Sequence, residues 1–382
     1  MWLEKIIQLF FAVYNKAFSP KQAKDNHANE KNWPDKISRS DIVAFLETHD
    51  ANELKIVHRD LADIDLSGLD LSGAIFHRCS FNGANLSHCI LKGTEFQRAY
   101  FRKTNLSESL MSQVDFSDAY FRECNLANSS LYRAILDRVD FRDSNLEKVN
   151  LGRASLSEVK RLTPESLGYE ILQDFSNDYE KYIRRVSEQE GEDVDVDNRV
   201  ERWLRHRLIH GEYIYRSLKV AFANNGQYAD SSWAYVRERQ MRRQRHGLLQ
   251  ARHNFSQEYP ENGRFKQIRR LGFYLKHLGL WLLDWLAELS CGYGERPLRP
   301  IFWAAATLAV FPIIYATVGG VSGPQTWLDY FNYSLAAFTT LGFDQFSADT
   351  PLAQTLTSIE AIVGISILAL LMFVLGNRIS RT

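Results

Sequence analysis

Large apolar residues recur at every fifth position over a long central stretch of the chain. From Leu61 to Leu156 each fifth residue is Leu or Phe, with one Met at Met111, which makes twenty consecutive apolar centres. Two residues before each centre, from Ala74 to Ala154, only Ala, Cys, Ser, Thr or Val occurs. A period of five does not suit a helix, where steps of about 100° per residue would scatter the centres around the helix. It does not suit a flat strand either, where an odd period would place alternate centres on opposite faces. The chain must therefore bend once per pentad, which predicts a solenoid whose centres share one axis.

Several pentads share a sequence of one small residue, then Asp or Asn, then a large apolar residue. These triplets occupy positions 84–86, 104–106, 114–116, 124–126, 139–141 and 144–146. The pattern resembles that of the pentapeptide-repeat family, often written A(D/N)LXX. Four pentads form one square coil in that family, so the resemblance implies a right-handed quadrilateral β-helix of five coils. The segment Ser40–His49 is expected to form a short helix that caps the N-terminal end of this solenoid.

The residues after Leu156 lose the five-residue period and become amphipathic in a helical pattern. Thr163-Pro164-Glu165 predicts a helix start, with Pro at the first helical position. Asn224-Asn225-Gly226 interrupts the pattern, and Tyr213 to Arg245 resembles an αα-hairpin of the tetratricopeptide-like kind. Five arginines lie in one run of that hairpin, at positions 237, 239, 242, 243 and 245. We interpret the run as a solvated helix face, with contact to anionic lipid as the alternative.

Two long apolar segments occupy the C-terminal part of the chain. Ile301 to Val318 carries no charge, and Leu352 to Leu375 carries only Glu360, so each is long enough for a membrane-spanning helix. Arginines precede the first segment and follow the second, whereas the loop at 319–351 contains no Lys or Arg. The positive-inside rule therefore predicts a multi-pass protein of the inner (cytoplasmic) membrane with both termini in the cytoplasm. An amphipathic helix at Leu271–Leu289, followed by a turn at Gly292-Tyr293-Gly294, is expected to lie along the inner interface.

The loop between the two segments contains a short apolar stretch that ends in a characteristic motif. Trp327 to Thr340 is too short to cross a bilayer and continues into Leu341-Gly342-Phe343-Asp344. This resembles the pore helix and selectivity filter of two-transmembrane potassium channels, whose filter reads Thr-Val-Gly-Tyr-Gly. The resemblance implies a re-entrant pore helix and a filter formed by Thr339, Thr340, Leu341, Gly342, Phe343 and Asp344. Consecutive carbonyls in such a filter replace the water shell of the ion, which requires left-handed and right-handed residues to alternate.

Asp344 departs from the family pattern because it replaces the second glycine of the filter. Asp tolerates the left-handed conformation better than most residues, so the substitution does not abolish the filter geometry outright, but it puts strict potassium selectivity in question. Four such carboxylates around a fourfold axis would concentrate cations at the outer mouth. Glu360, an acid inside a span, is interpreted as a filter support that bonds to backbone or pore helix, with ion contact or proton sensing as alternatives. Gly364 is a candidate hinge of the inner helix.

The charge and the cysteine positions exclude further classes of function and partner. The formal net charge is zero, and residues 59–158 contain fourteen acidic against twelve basic side chains, which disfavours nucleic acid as a partner and a DNA-mimicking surface. Cys79, Cys89 and Cys124 fall at the small position of the repeat and are expected to be core residues. The chain contains no motif for a catalytic nucleophile, a phosphate loop or a metal cluster, so no enzyme activity, metal or cofactor is expected.

These expectations divide the chain into five parts. They are N-terminal amphipathic and capping helices (1–60), the solenoid (61–160), an α-helical hairpin linker (161–270), an interfacial helix and turn (271–299) and a two-span pore domain (300–382). We expect a homotetrameric cation channel, permeable to potassium, with a cytoplasmic solenoid that acts as regulator or sensor. The expected partners are membrane lipid and an unidentified cytoplasmic ligand or protein on the solenoid or hairpin. The alternative is a membrane-anchored pentapeptide-repeat scaffold with a non-conducting pore-like module.

Overall fold

In the computed structural model the described residues are 33–34, 36–189, 195–247, 266–342 and 346–379. The amphipathic helix expected near the N-terminus lies outside these ranges. Within them, the predicted bend of each pentad is present two residues after every apolar centre. All twenty residues at this corner position, from Asp63 to Glu158, have a positive φ between 53° and 75°. Only four of these corners are glycine, so sixteen side chains adopt a backbone conformation that L-residues normally avoid.

Residues twenty positions apart pair as parallel strands, so one coil contains four pentads. The longer strands are β1 (Lys55–Val57), β2 (Ile75–His77), β3 (Tyr100–Arg102), β4 (Tyr120–Arg122) and β5 (Asp140–Arg142). Strands β1 and β2 pair in parallel, and β3, β4 and β5 form a second parallel set. Isolated parallel bridges of the same register, such as Asp65 to Asn85, continue the pattern along the other sides of the coil. The structure therefore confirms a pentapeptide-repeat coil.

The apolar centres fill the axis of the solenoid. Phe76, Phe81, Phe96, Phe101, Phe116 and Phe121 are fully buried. Rings one coil apart stack in parallel, with centroids 5.2 Å apart for Phe81 and Phe101 and 4.5 Å apart for Phe101 and Phe121. Aromatic pairs in such arrangements contribute about 0.5–1.5 kcal/mol beyond their buried area. The core of the solenoid is thus a stack of repeated side chains.

The small position of each pentad has a second role beyond filling space. Thr94, Thr104 and Ser109 hold this position, and each hydroxyl donates to the main-chain carbonyl of an apolar centre in the coil below, as in Thr94 Oγ1 to Leu71 O at 2.9 Å. Cys79 and Cys89 make the same kind of contact with Ile56 O and Leu66 O, at 3.3 and 3.1 Å. Cys79, Cys89 and Cys124 are buried free thiols, which confirms their prediction as core residues.

A short helix closes the N-terminal end of the solenoid. Helix α1 (Arg39–Leu46) begins at Ser38, whose backbone N–H donates to the Asp41 carboxylate at 2.8 Å. Its Ile42 and Phe45 belong to the same buried core as the first coils. The open end of the apolar axis is therefore shielded from water.

Helices follow the last coil, but they begin later than expected. Pro164 opens a turn in which Tyr169 N donates to Pro164 O at 2.8 Å, and Gly168 and Tyr169 adopt positive φ. The prediction of a helix start at Pro164 is wrong for this reason. The helices are α2 (Ser176–Gln189), α3 (Val196–Asn224) and α4 (Tyr228–His246), and α3 and α4 pack together as a hairpin around a turn that contains Gly226.

The basic run on α4 makes ion pairs with carboxylates, so its prediction as a solvated face is wrong. Arg242 and Arg245 both pair with Glu212 of α3, at 3.0 and 3.3 Å. Arg237 pairs with Glu170 at 2.9 Å, and Arg243 pairs with Glu288 beyond the hairpin. The sequence pattern could not show these pairs because the acids come from three separate segments of the chain.

Among the described residues from 266 onwards there are four α-helices. They are α5 (Lys266–Cys291), α6 (Leu298–Val318), α7 (Trp327–Thr339) and α8 (Pro351–Ile379). Residues 298–318 and 351–376 are long and apolar enough to cross a membrane, which agrees with the two expected spans. A two-residue antiparallel pair, β6 (Val321–Ser322) with β7 (Ser347–Ala348), joins the two ends of the loop that carries α7. Helix α7 packs against both α6 and α8.

Candidate functional site: the end of helix α7 and its supports

Helix α7 presents its carboxyl end where the motif predicts a filter. Its N-terminus is capped by Asp329, which accepts from the backbone N–H of Thr326 at 2.8 Å. At the other end Leu341 N donates to Ala336 O at 3.1 Å and Thr340 N to Ala337 O at 3.2 Å. This is the Schellman pattern, in which glycine usually occupies the left-handed position. Here that position is Thr340, with φ of 57°.

The backbone conformation alternates over the three residues that follow the helix. Thr340 and Gly342 have φ of 57° and 65°, and Leu341 between them is not in the left-handed region. A β-branched residue with positive φ is a genuine outlier, and such strain concentrates at functional sites. Thr339 remains helical, and its hydroxyl donates to Leu335 O at 2.6 Å. Phe343 and Asp344 lie outside the described residues, so the predicted filter is described only up to Gly342.

Glu360 is buried in α8 and holds the other two helices of the group. Its Oε2 accepts from the Tyr315 hydroxyl of α6 at 2.8 Å, and its Oε1 accepts from the Ser334 hydroxyl of α7. All three side chains are fully buried. A carboxyl group in such surroundings requires a partner for each oxygen, and here each has one. The arrangement joins α6, α7 and α8 through one hydrogen-bonded cluster.

Thr357 and Tyr333 extend this cluster. The Tyr333 hydroxyl lies 2.7 Å from Thr357 Oγ1, and the rings of Tyr315 and Tyr333 meet edge to face with centroids 5.0 Å apart. Thr357 lies one helical turn before Glu360. Sequence reasoning missed Tyr315, Tyr333, Ser334 and Thr357, although hydroxyl side chains at helical spacing around an intramembrane acid are a usable signal.

Gly364 lies where α8 is in close contact with the end of α7. A Cβ atom added to Gly364 would lie 2.1 Å from the carbonyl oxygen of Phe338 and 2.9 Å from its carbonyl carbon. That distance is far below van der Waals contact, and the obstructing atoms are backbone. The structure therefore gives Gly364 a packing function at this crossing, in addition to the hinge considered from the sequence.

A second group of contacts connects the helical hairpin to the first apolar helix. Glu288 of α5 pairs with Arg243 of α4 and accepts from Gln240 Nε2 at 3.1 Å. The backbone carbonyl of Glu288 accepts from Arg299 at the start of α6. A further bond joins Ser232 Oγ of α4 to Glu295 Oε2 at 2.6 Å. One short segment thus touches the hairpin on one side and the start of α6 on the other.

The segment Gly292–Gly294 forms a 3₁₀ turn between α5 and α6, with Tyr293 at φ of 59°. Its three residues are buried, and burial raises the pKa of Tyr293 to about 12. The turn follows α5 directly and is remote in sequence from the end of α7, although it spells the filter tripeptide. Among the described residues no group of three or more His, Cys, Asp or Glu side chains could hold a metal ion.

Two family models match separate parts of the chain. The pentapeptide repeat region matches residues 69–151, which form the solenoid. The ion channel model matches residues 301–381, which include α6, α7 and α8. The chain therefore contains a pentapeptide repeat region at residues 69–151 and a region similar to ion channels at residues 301–381. The two matched families are a repeat family and a channel family, not enzyme families, and the channel match together with the two apolar helices indicates a membrane location.

Solved structures similar to the chain are pentapeptide-repeat proteins. Rfr23 from the cyanobacterium Cyanothece 51142 is 19% identical over 32% of this chain and 95% of its own, with a TM-score of 0.23. A thylakoid-lumen protein of Arabidopsis thaliana is 25% identical over 28% of this chain and 89% of its own, with a TM-score of 0.15. The fluoroquinolone resistance protein QnrB1 is 22% identical over 28% of this chain and 69% of its own, with a TM-score of 0.13. A comparison with curated proteins found no match.

Proposed function

We propose that the protein is a homotetrameric, potassium-permeable cation channel with a cytoplasmic pentapeptide-repeat domain that regulates it. The observation that carries the proposal is the alternating backbone at Thr340, Leu341 and Gly342. This three-residue segment comes directly after the carboxyl end of α7. Helix α7 is short and packs between two helices that are long enough to cross a membrane. Backbone carbonyls in that conformation can replace the water shell of an ion, and the negative end of the α7 dipole favours a cation.

The oligomeric state follows from the size of the pore module. Two spanning helices and one re-entrant helix cannot enclose a pore, so several copies must contribute, and fourfold symmetry is proposed from the resemblance to two-transmembrane channels. The arginines at both ends of the module support an inner-membrane orientation with both termini in the cytoplasm. The solenoid would then lie in the cytoplasm, and we propose for it the right-handed quadrilateral form of its family.

Liposome flux tests this proposal directly. Purified protein in potassium-loaded vesicles is expected to release potassium, and native mass spectrometry of the same sample is expected to give four copies. The Gly342→Val variant should lose the flux, because a β-branched residue is strongly disfavoured at a φ of 65°. Gly376→Ala is the matched control, since a Cβ there would meet no atom within 4 Å. Absence of cation flux from the unmodified tetramer would contradict the proposal.

Asp344 favours a second candidate function. An aspartate in place of the second filter glycine suits a module that no longer conducts and only anchors the solenoid to the membrane. The same flux assay separates the two candidates, since a scaffold gives no flux under any ionic condition. Comparison of potassium release with sodium release tests selectivity. The Asp344→Gly variant restores the family pattern and is expected to raise the preference for potassium.

A further inference from the structure

A cavity of about 440 Å³ lies between one side of the solenoid and helix α3. We call it the aromatic cleft and define it by Tyr132 and Arg153 of the solenoid and by Trp203, His210 and Tyr213 of α3. The three α3 residues follow a spacing of seven and three, which places them on one face of the helix. Its volume lies within the range of pockets that hold small organic ligands.

Aromatic side chains form the walls of this cleft without closing it. The rings of Trp203 and Tyr132 meet edge to face with centroids 6.0 Å apart, and Trp203 and His210 are 5.3 Å apart. Tyr213 is 51% exposed although it lines the cavity. Gly152 leaves space for Tyr132, because a Cβ there would lie 2.9 Å from that ring. Such walls suit a flat ring, since stacking on aromatic faces depends little on the identity of the ring.

Two amides at the inner side of the cleft provide hydrogen-bonding groups. Gln173 is buried, and its amide nitrogen donates to Asn150 Oδ1 at 3.0 Å. The same Asn150 oxygen accepts from Gly152 N at 3.0 Å. The Oε1 atom of Gln173 has no hydrogen-bond partner in the part of the chain that the structure describes. A buried acceptor without a partner is rare in proteins and indicates a missing donor, such as one from a ligand or water.

The charges around the cleft distinguish between classes of ligand. No carboxylate is among the described residues that line it, whereas Arg153 contributes a positive charge. Burial lowers the pKa of His210 below its usual range, and the neighbouring His206 and Arg153 lower it further. His210 is therefore neutral at pH 7 and can accept as well as donate a hydrogen bond. An aromatic cage for a cation would need the opposite charge at its rim.

We propose that the aromatic cleft binds a planar aromatic molecule that carries a negative charge. The ring contacts Trp203 and Tyr213, and the anionic group pairs with Arg153. The proposal rests on the regulatory role proposed for the solenoid. Helix α3 lines the cleft and is joined through the hairpin turn to α4, whose Arg243 pairs with Glu288 next to the first membrane helix. The binding itself does not require conduction.

Calorimetric titration of the full-length protein in detergent tests the proposal. The probes are adenosine 5′-monophosphate and 2-naphthoate, with adenosine and tetramethylammonium as uncharged and cationic comparisons. We expect at least one anionic probe to bind more tightly than both comparisons. Arg153→Gln should weaken that binding about tenfold, the usual effect of losing a charge-assisted hydrogen bond. Tyr213→Ala should weaken it about tenfold through lost stacking.

Two matched controls guard against general effects of substitution. Arg98→Gln changes another arginine at a corner with the same φ of 58°, remote in sequence from the cleft. Tyr228→Ala removes a tyrosine of similar exposure, 49%, from the start of α4. Both are expected to bind as the unmodified protein does. The proposal is overturned if neither anionic probe binds, if tetramethylammonium binds better, or if Arg153→Gln and Tyr213→Ala leave binding unchanged. Because no ion gradient is present, failure here is distinguishable from failure of the channel assay.

Discussion

The Tyr315 hydroxyl lies 2.8 Å from Oε2 of Glu360 and joins the two helices that are long enough to cross a membrane. The other oxygen of Glu360 is held by Ser334 of the helix between them. One buried carboxyl group thus connects three helices through side chains, and its partner Ser334 lies on the helix that leads into the segment proposed as filter. Because a buried polar cluster of this kind is stable only when every member has a partner, loss of one hydroxyl should affect the whole group.

We predict that Ser334→Ala destabilises the pore module. The substitution leaves one oxygen of Glu360 without a donor in a buried site, which costs about 1–3 kcal/mol. Thermal unfolding of the purified protein in detergent should show a lower midpoint, and flux should fall with it. The matched control is Ser366→Ala, because Ser366 is exposed on α8 and its hydroxyl bonds to Ile362 O in its own helix. Equal effects of the two substitutions would show that the Glu360 cluster has no special role.

A second prediction concerns Gly364. Gly364→Ala should lower stability by about 1–3 kcal/mol, the usual range for overpacking, because the new Cβ would collide with the carbonyl of Phe338. Gly376→Ala in the same helix meets no atom within 4 Å and should be neutral or slightly stabilising. Thermal unfolding of both variants is the measurement. If Gly364→Ala changed open probability in single-channel recordings without changing stability, the hinge interpretation would replace the packing one.

The solenoid could be predicted from sequence in detail because its geometry is local and repeated. A period of five requires a bend in every pentad, and the structure has a positive φ two residues after each centre. The residue types at these corners did not reveal the bend. Only Gly68, Gly73, Gly83 and Gly93 are glycines, while Arg, Asp, Glu, His, Asn, Lys and Gln fill the remaining positions. Periodicity was therefore a stronger signal than residue propensity.

The supports of the candidate site could not be predicted in the same way. Glu360 stood out as an acid in an apolar span, but its partners Tyr315 and Ser334 are separated from it by 45 and 26 residues. Their hydroxyls are ordinary members of apolar helices until the fold brings them together. The same limit applies to the arginines of α4, whose charge suggested solvent or lipid, although Arg242 and Arg245 pair with the buried Glu212.

A third prediction tests the connection between hairpin and pore module. Arg243→Ala and Glu288→Ala, singly and together, form a double-mutant cycle for an ion pair whose side chains are only 24% and 21% exposed. We expect a coupling energy of about 0.5–3 kcal/mol, the range for residues in direct contact. Arg184 and Asp197, which are 43% and 84% exposed at 2.8 Å, provide the comparison pair. Their coupling should fall within about 0–1 kcal/mol.

The measurement for this cycle is chemical denaturation of the full-length protein, in which a signal from the hairpin reports unfolding. If the Arg243–Glu288 pair transmits a change from the hairpin to α6, the single variants should also alter flux without altering the tetramer. Coupling no greater than that of Arg184 and Asp197 would remove this pair from the proposed route of regulation.

The last prediction concerns the pH dependence of the solenoid. Burial raises the pKa of the Cys79 and Cys89 thiols from 9.0 to about 11. A raised pKa means that the folded state favours the neutral thiol. The contribution of these neutral thiols to the free energy of unfolding is therefore fully present below pH 9. It is lost as the pH rises towards 11, by about 2–3 kcal/mol for each thiol.

Serine is the appropriate replacement for isolating this effect, because Ser109 holds the same repeat position and donates to Leu86 O at 2.6 Å. The Cys79→Ser/Cys89→Ser variant should therefore keep its hydrogen bonds and show a smaller loss of stability between pH 9 and 11 than the unmodified protein. Denaturation curves at pH 8, 9, 10 and 11 measure the difference. Iodoacetamide provides an independent check, since both thiols should react slowly at pH 8 until the solenoid unfolds. Parallel pH profiles for the two proteins would contradict the assignment of the effect to these cysteines.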